Sequence, residues 1–213
     1  MTEEQQKFYD IKTFTDYDVA GDDVDYKVIV DHKKKEVILQ FEESDSRRDW
    51  INNLLFLPWP LKLCGKYVWT THGYARAYKS AKDAPLAEFV TKAYNYQGYK
   101  RIIRGWSFGS AMAKIAARHY QIYTGCKYIY ILDELTTYGD VKCWLNPFTK
   151  YADRIKKVRE YVTPNDAVTW CVPFFHRDQK NTVGPRFSIS GLFHSEQYHQ
   201  HYEEYDYTIW EDL

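Results

Sequence analysis

The segment Ile102–Tyr120, IIRGWSFGSAMAKIAARHY, joins an apolar strand pattern to a helix rich in small residues. Between the two halves, Gly105-Trp106-Ser107-Phe108-Gly109 fits the pattern G-x-S-x-G. In a nucleophile elbow the serine occupies a strained turn between a strand and a helix, and the flanking positions must be small so that the two elements do not collide. The alternative is an ordinary strand-to-helix turn with a solvent-exposed serine, because a five-residue pattern also occurs by chance.

The segments around this motif alternate between strand and helix patterns. Upstream, Lys27–Val30 and Glu36–Phe41 are separated by a polar turn, which predicts a hairpin. Residues 84–98 predict a helix, and Gly125 is placed to end the helix that follows Ser107. Further strands are predicted at KYVWTTHGY (66–74), KYIYIL (127–132), VREYVTP (158–164) and RFSISGLF (186–193), and a short helix at FTKYADRIKKV (148–158). This order predicts an α/β fold with a mostly parallel central sheet and an antiparallel hairpin near the N-terminus.

Composition excludes several classes of protein. The chain has 213 residues, is 45% apolar and 27% charged, and balances 29 basic against 29 acidic residues, so nothing indicates a nucleic-acid partner. No run of 18 apolar residues predicts a transmembrane segment. The opening MTEEQQKFYD does not resemble a signal peptide, which predicts a cytoplasmic location by default and leaves release to the exterior as the other option. With no repeat and no linker-like stretch, residues 1–213 are predicted to form one domain.

The cysteines indicate no bridge or metal site. Their spacing contains no CxxC and no zinc-like cluster, so we expect reduced and mostly buried thiols. The four are Cys64, Cys126, Cys143 and Cys171.

A serine hydroxyl needs a base to remove its proton and an acid to orient the base, and on α/β-hydrolase-like scaffolds the acid and then the histidine follow the serine. Asp166 comes directly after a predicted strand in a Pro-Asn-Asp turn, at the sheet edge where α/β sites gather. Turn chemistry alone would also explain that aspartate. Asp133 and Asp140, which follow the YIYIL strand, are the rival acids.

The base is sought among five downstream histidines. His119 lies about three turns along the helix that Ser107 begins, which is too far for proton transfer, and His176 has no strong context. The C-terminal cluster remains, with His194, His199 and His201. We select His194 because it follows the predicted final strand, where a loop could turn towards the elbow. His199 and His201 remain as alternatives.

At this point the sequence resembles the class 3, fungal-lipase-like family of the α/β-hydrolase superfamily, over roughly residues 27–202. Five segments carry the resemblance in the family's order. They are DHKKKEVILQFEESDSRRDWINNLLFLPWP, THGYARAY, YKRIIRGWSFGSAMAKIAA, LTTYGDVK and EYVTPNDAVTWCVP. The resemblance implies an α/β-hydrolase-type sheet with helices on both faces. The chain departs from the usual pattern at Trp106, Ser110 and the glutamates Glu42 and Glu43.

The resemblance also implies a function. It implies a carboxylic ester hydrolase, a lipase or esterase, in which Ser107 is the nucleophile, Asp166 the acid and a C-terminal histidine the base. Ser44 would lie on the oxyanion loop, and the backbone N–H of Phe108 would be a second oxyanion donor. The substrate would be an acylglycerol or another acyl ester, and no metal or organic cofactor would be needed. The alternatives are acyl transfer or amide hydrolysis on the same triad, and an inactive binding module that kept the fold.

Residues 44–60 have an amphipathic pattern. Trp50, Ile51, Leu54 and Leu55 fall on one face of a short helix that Pro58 would end. Taken alone, the pattern suits a helix packed permanently on the core. The resemblance instead implies a lid over the serine that contacts a lipid interface transiently, with a small fixed flap as the other option.

Overall fold

The computed structural model of the chain describes residues 1–20, 24–42, 57–125, 131–144, 155–170, 181–182, 188, 195–205 and 207. The helices are α1 (Glu3–Lys12), α2 (His72–Ser80), α3 (Ala84–Asn95), α4 (Phe108–Tyr123) and α5 (Ser195–Gln200). The strands are β1 (Asp18–Ala20), β2 (Val24–Asp31), β3 (Glu36–Phe41), β4 (Pro58–Leu63), β5 (Lys66–Thr71), β6 (Lys100–Trp106), β7 (Leu132–Tyr138), β8 (Ile155–Val162) and β9 (Asn181–Thr182). Short 3-10 helices follow at Ala167–Trp170 and Tyr202–Glu204.

Seven strands form one sheet in the order β1-β2-β3-β6-β7-β8-β9. The first three strands pair antiparallel, and the neighbours from β3 to β9 pair parallel. The predicted mostly parallel sheet with an antiparallel hairpin is therefore confirmed. Among the described strands, β4 and β5 pair only with each other, as a separate hairpin beside the sheet.

Helices cover both faces of this sheet. Helix α4 is buried along most of its length, and its alanines let it approach the sheet closely, against residues such as Leu39, Ile103 and Leu135. On the other face, Phe8 of α1 packs against an aromatic cluster that includes Trp106 and Tyr138. The site described below lies where β6 passes between these two layers.

The structure confirms several of the predicted helices and strands and differs from others. The helices predicted after Ser107 and at residues 84–98 are α4 and α3. The strand predicted at 127–132 overlaps β7 only at Leu132, and residues 126–130 lie outside the described ranges. The helix predicted over 148–158 is wrong for Ile155–Val158, which are the start of β8. None of the helices in the described ranges is long and apolar enough to cross a membrane.

The predicted lid falls mostly outside the described residues. Residues 43–56 are not described, so the lid helix stays a prediction. The last part of the predicted range is corrected, because Pro58–Leu63 form strand β4. Pro58 begins that strand, and its partner across the hairpin is Thr71.

Candidate active site

Ser107 occupies a strained turn between β6 and α4. Its backbone has φ 54° and ψ −121°, a conformation that non-glycine residues rarely adopt and that recurs where function requires strain. Its backbone N–H donates to the carbonyl oxygen of Tyr138 at 3.0 Å, and the residue is fully buried. This is the geometry expected of a nucleophile elbow, in which a sharp turn projects one side chain from the end of a strand.

Glycine is required at both flanking positions, because a side chain there would clash with neighbouring backbone. A Cβ at Gly105 would lie 2.2 Å from the carbonyl oxygen of Gly109, on the first turn of α4. A Cβ at Gly109 would lie 2.5 Å from the carbonyl oxygen of Glu42, next to the end of β3. Both contacts are with backbone, so a side chain at either position could be accommodated only by moving an element. The steric reason for G-x-S-x-G that the sequence suggested therefore applies in this chain.

Asp166 and His199 form a buried pair. Asp166 lies four residues beyond the end of β8, and His199 lies on α5. The Nδ1 atom of His199 is 2.7 Å from Oδ2 of Asp166, and both side chains are almost completely excluded from solvent. A carboxylate at Nδ1 holds an imidazole in one tautomer and leaves Nε2 to exchange a proton.

Two further donors hold the Asp166 carboxylate. The hydroxyl of Tyr202 donates to Oδ2 at 3.2 Å, and the backbone N–H of Val168 donates to Oδ1 at 3.0 Å. Burial, together with the charge of Asp166, raises the pKa of Tyr202 well above its ordinary value, so the phenol stays protonated and remains a donor. Sequence reasoning missed Tyr202, whose only signal is its position three residues after His199.

Trp106 and Gly139 position the His199 ring. The indole Nε1 of Trp106 donates to the backbone carbonyl of His199 at 3.3 Å, and the two rings lie 5.9 Å apart. A Cβ at Gly139 would lie 2.7 Å from Cε1 of the imidazole and 3.5 Å from Cδ1 of Trp106. The tryptophan that departs from the family pattern therefore fastens the histidine-bearing helix to the elbow strand.

A buried cluster of charged side chains holds the segment that follows Gly139. The Nζ atom of Lys114, on α4, lies 2.9 Å from Oδ2 of Asp140 and donates to the carbonyl oxygen of Val141. Glu160 on β8 lies 3.8 Å from the same ammonium group, and all three charged side chains are fully buried. Ser110, the other departure in the elbow, accepts the backbone N–H of Val141 through its hydroxyl. Helix α4 thus holds the chain that follows Gly139.

The rival acids have other partners. Asp133 lies near the start of β7, where its carboxylate accepts the backbone N–H of Arg101 and pairs with Lys156. Asp140 binds Lys114 and the hydroxyl of Thr137. Among the described residues, Asp166 is the candidate aspartate that contacts a histidine ring, that of His199.

The structure describes some of the candidate bases and oxyanion donors and leaves others outside its described ranges. His194 and Ser44 lie outside the described ranges, so their assignments stay predictions. His201 pairs with Glu204 at 3.2 Å. Phe108 is the first residue of α4, directly after Ser107.

Among the described residues, no group of three or more His, Cys, Asp or Glu side chains could hold a metal ion.

The elbow and the acid–histidine pair lie at the carboxyl edge of a mostly parallel sheet, which is the arrangement expected of an α/β-hydrolase. The chain belongs to the class 3 lipase family, whose model matches residues 38–175. The secreted mono- and diacylglycerol lipase A of Penicillium cyclopium is 28% identical over 109 residues, which are 51% of this chain and 34% of that protein.

Solved structures show the same fold. The Rhizomucor miehei lipase propeptide complex superposes with a TM-score of 0.62 at 23% identity, over 76% of this chain and 53% of that one. A fungal lipase–inhibitor complex, described as a model for interfacial activation in lipases, gives 0.63 at 23% identity, over 76% and 62%. The chain thus spans about a third of the matched curated relative and between half and two thirds of these two structures.

Proposed function

We propose that this chain is a carboxylic ester hydrolase, a lipase or esterase, that acts through Ser107, His199 and Asp166. The observation that carries the proposal is the 2.7 Å contact between His199 Nδ1 and Asp166 Oδ2, on the edge of the sheet where the Ser107 elbow turns. His199 replaces His194 in this assignment, because His199 has a carboxylate partner and His194 lies outside the described residues.

In the proposed reaction, Ser107 Oγ attacks the ester carbonyl and His199 Nε2 takes its proton. Asp166 stabilises the imidazolium that forms, while Tyr202 and Val168 hold the carboxylate in place. His199 then returns the proton to the leaving alcohol, and water hydrolyses the acyl-enzyme. The backbone N–H of Phe108 binds the oxyanion at the positive end of α4. Ser44 is proposed as the second donor, because β3 ends beside Gly109 and Ser44 lies three residues further on.

The substrate class is proposed from the relatives. The matched Penicillium protein is named a secreted mono- and diacylglycerol lipase, so we propose acylglycerols or similar acyl esters as substrates. The same name favours release to the exterior for this chain, and the cytoplasmic default is not supported.

A lipid interface is proposed as the partner surface. Four of the nine exposed large apolar side chains in the described ranges fall on or just before the β4–β5 hairpin, which follows the predicted lid. They are Leu57 (66% exposed), Trp59 (42%), Tyr67 (64%) and Trp69 (47%). Trp and Tyr suit the boundary between apolar and wet layers, and the exposed Lys62 and Lys66 complement anionic headgroups. We call this set the aromatic hairpin surface.

The triad is tested with a fluorophosphonate probe and a chromogenic short-chain ester. Ser107→Ala should abolish both labelling and hydrolysis, with thermal melting nearly unchanged. His199→Ala should lose activity roughly 10³-fold or more, and the matched variant His194→Ala should keep it. Wild-type activity should fall at acid pH, where the base becomes protonated. An active His199→Ala protein beside an inactive His194→Ala protein would return the role to His194.

The reaction type is tested separately by offering matched ester, thioester and amide substrates. Hydrolysis of the ester alone supports an esterase, and preferential transfer to an added alcohol supports an acyltransferase. A folded wild-type chain that neither labels nor hydrolyses any of the three would identify an inactive binding module.

A further inference from the structure

A cavity of about 660 Å³ lies beside α1, on the face of the sheet opposite α4. Two rows of side chains in direct register form its floor. Ile29, Ile38 and Ile102 are partners across β2, β3 and β6. The next row, two residues further along the strands, has Arg104 of β6 directly between its partners on β3 and β7. An apolar row therefore runs beside a row that contains a cation.

Arg104 is a buried cation with an incomplete set of partners. Its side chain lines the cavity, and the residue is 7% exposed. Its Nε donates to Oε1 of Gln40 at 2.7 Å. Within the described part of the chain, its guanidinium makes no other hydrogen bond, and no carboxylate lies within 4.0 Å of it. A buried charge normally has an ionic partner, because removing it from water is costly.

The guanidinium is held in one orientation. Gln40 Nε2 donates to the hydroxyl of Tyr17, which directs the amide oxygen of Gln40 towards Arg104. Burial lowers the pKa of Arg104, and this effect outweighs the opposing influence of more distant groups that include Asp10. The remaining guanidinium nitrogens are thus fixed donors beside an open volume.

Acidic side chains around the cavity have other cations or donors. Glu134 accepts from Lys7 Nζ at 2.8 Å and from Thr136 Oγ1 at 2.8 Å. Asp10 accepts from Gln6 Nε2 at 2.7 Å. The Lys7 ammonium therefore offsets the negative charge of Glu134 beside Arg104.

We propose that this cavity binds a medium-chain carboxylate amphiphile, a free fatty acid, with its carboxylate on Arg104 and its chain along the row of three isoleucines. A guanidinium matches a carboxylate because its N–H groups can donate to both oxygens. One cation suits a monoanion better than a phosphate dianion. The rows lie about 7 Å apart along the strands, and the isoleucine row spans two strand spacings, about 10 Å. A short alkyl chain fits these dimensions.

This site is separate from the proposed hydrolysis. A fatty acid is the acid product of ester cleavage, but binding at Arg104 requires neither Ser107 nor His199. By strand alternation, Arg104 faces α1, whereas Gly105 of the elbow faces α4. A chain that hydrolyses no ester could still bind octanoate, so the two proposals can fail independently.

The test is calorimetric titration of the full chain with octanoate, 1-octanol and acetate. We expect one octanoate site in the wild type, with octanol and acetate at least tenfold weaker. Arg104→Gln should weaken octanoate binding roughly tenfold or more, since a hydrogen bond to a charged group is lost. The control Arg101→Gln, which removes an arginine from the opposite face of the same strand, should bind like the wild type.

A second variant guards against misfolding of the first. Ile29→Gln changes the half-buried end of the apolar row and should weaken octanoate binding while leaving acetate binding unchanged. No octanoate binding in the wild type would overturn the proposal. Equal octanoate affinity in the wild type and in a folded Arg104→Gln or Ile29→Gln protein would also overturn it, because the ligand would then bind elsewhere.

Discussion

The imidazole of His199 rests against the backbone of Gly139, with Cε1 of the ring 2.7 Å from the position a Cβ on that glycine would take. Gly139 has φ +52° and follows Tyr138, whose carbonyl oxygen accepts the N–H of Ser107. Two consecutive residues therefore hold the site: Tyr138 accepts the hydrogen bond that fixes the elbow, and Gly139 supports the ring of the candidate base. Any side chain at position 139 would displace the ring.

Gly139→Ala should therefore damage catalysis more than folding. A ring displaced by about 1 Å costs on the order of 100-fold in rate, and the left-handed backbone adds about 1 kcal/mol of strain. Gly125→Ala is the matched control, because Gly125 has φ +60° but nothing within 4 Å of an added Cβ. Ester hydrolysis and urea unfolding are measured on both. Similar rates for the two variants would mean that the contact with His199 has no catalytic consequence.

Lys114→Met should strongly destabilise the chain. Without the ammonium, Asp140 and Glu160 remain fully buried beside each other with no cation from this lysine. Removing one partner of a buried ion pair costs about 3–5 kcal/mol. Urea unfolding measures the loss, and adding Asp140→Asn to Lys114→Met should recover part of it. A loss below about 1 kcal/mol would show that the cluster contributes little.

Alkaline pH should destabilise the folded chain through its buried tyrosines. Burial raises the pKa of Tyr78, Tyr138 and Tyr202 well above the ordinary value. Above about pH 10 the unfolded chain releases these protons while the folded chain retains them. The free energy of unfolding should then fall as pH rises, by up to about 1.4 kcal/mol per pH unit for each buried tyrosine.

The tyrosine prediction is checked by urea unfolding between pH 9 and 11. Tyr202→Phe should make the free energy of unfolding fall less steeply with pH, because one buried tyrosine no longer contributes. Tyr94→Phe, at a 62% exposed position, should leave the slope unchanged. The same slope in all three proteins would contradict the assignment of Tyr202.

The aromatic hairpin surface should bind lipid. Replacing Tyr67 and Trp69 with serine removes two exposed rings without touching the buried side of the hairpin, so sedimentation with anionic vesicles should fall severalfold. The control replaces Tyr94 and Tyr123, which are similarly exposed on α3 and α4. Hydrolysis of a soluble ester should not change in either double variant. Equal vesicle binding by the two would remove the hairpin from the proposal.

The elbow and the hairpin of β2 and β3 were predictable because local rules determine them. Gly105 and Gly109 are required by contacts within one strand–turn–helix unit, and the polar turn between the two strands has its own signal. Helix α3 was predicted because its apolar residues repeat with the helical period and one face is buried.

The errors come from tertiary context. Ile155 and Val158 have helical spacing, but they lie in β8, where pairing with β7 decides their conformation. Strand β7 continues past the expected strand at 127–132 to Tyr138. The sequence did not indicate this continuation, because LDELTTY is less apolar than the run before it, and its acidic side chains pair with lysines of α1 and β8. The sequence also did not indicate the contact between His199 and Asp166, because it shows where strands end but not how a short helix packs. His194 lies outside the described residues, so its assignment stays a prediction.

The contacts between α1 and the C-terminal segment make the candidate site a late product of folding. Gln5 donates to the carbonyl of Tyr205 and Lys12 to that of Gln200, so these bonds close loops of nearly the whole chain. Such closure is entropically costly and slow compared with formation of the elbow, whose parts are adjacent in sequence. During synthesis, α1 cannot form these hydrogen bonds until Gln200 and Tyr205 have left the ribosome. A refolding chain should therefore regain its central sheet before the proposed esterase activity, because Asp166 lacks its contact with His199 until then.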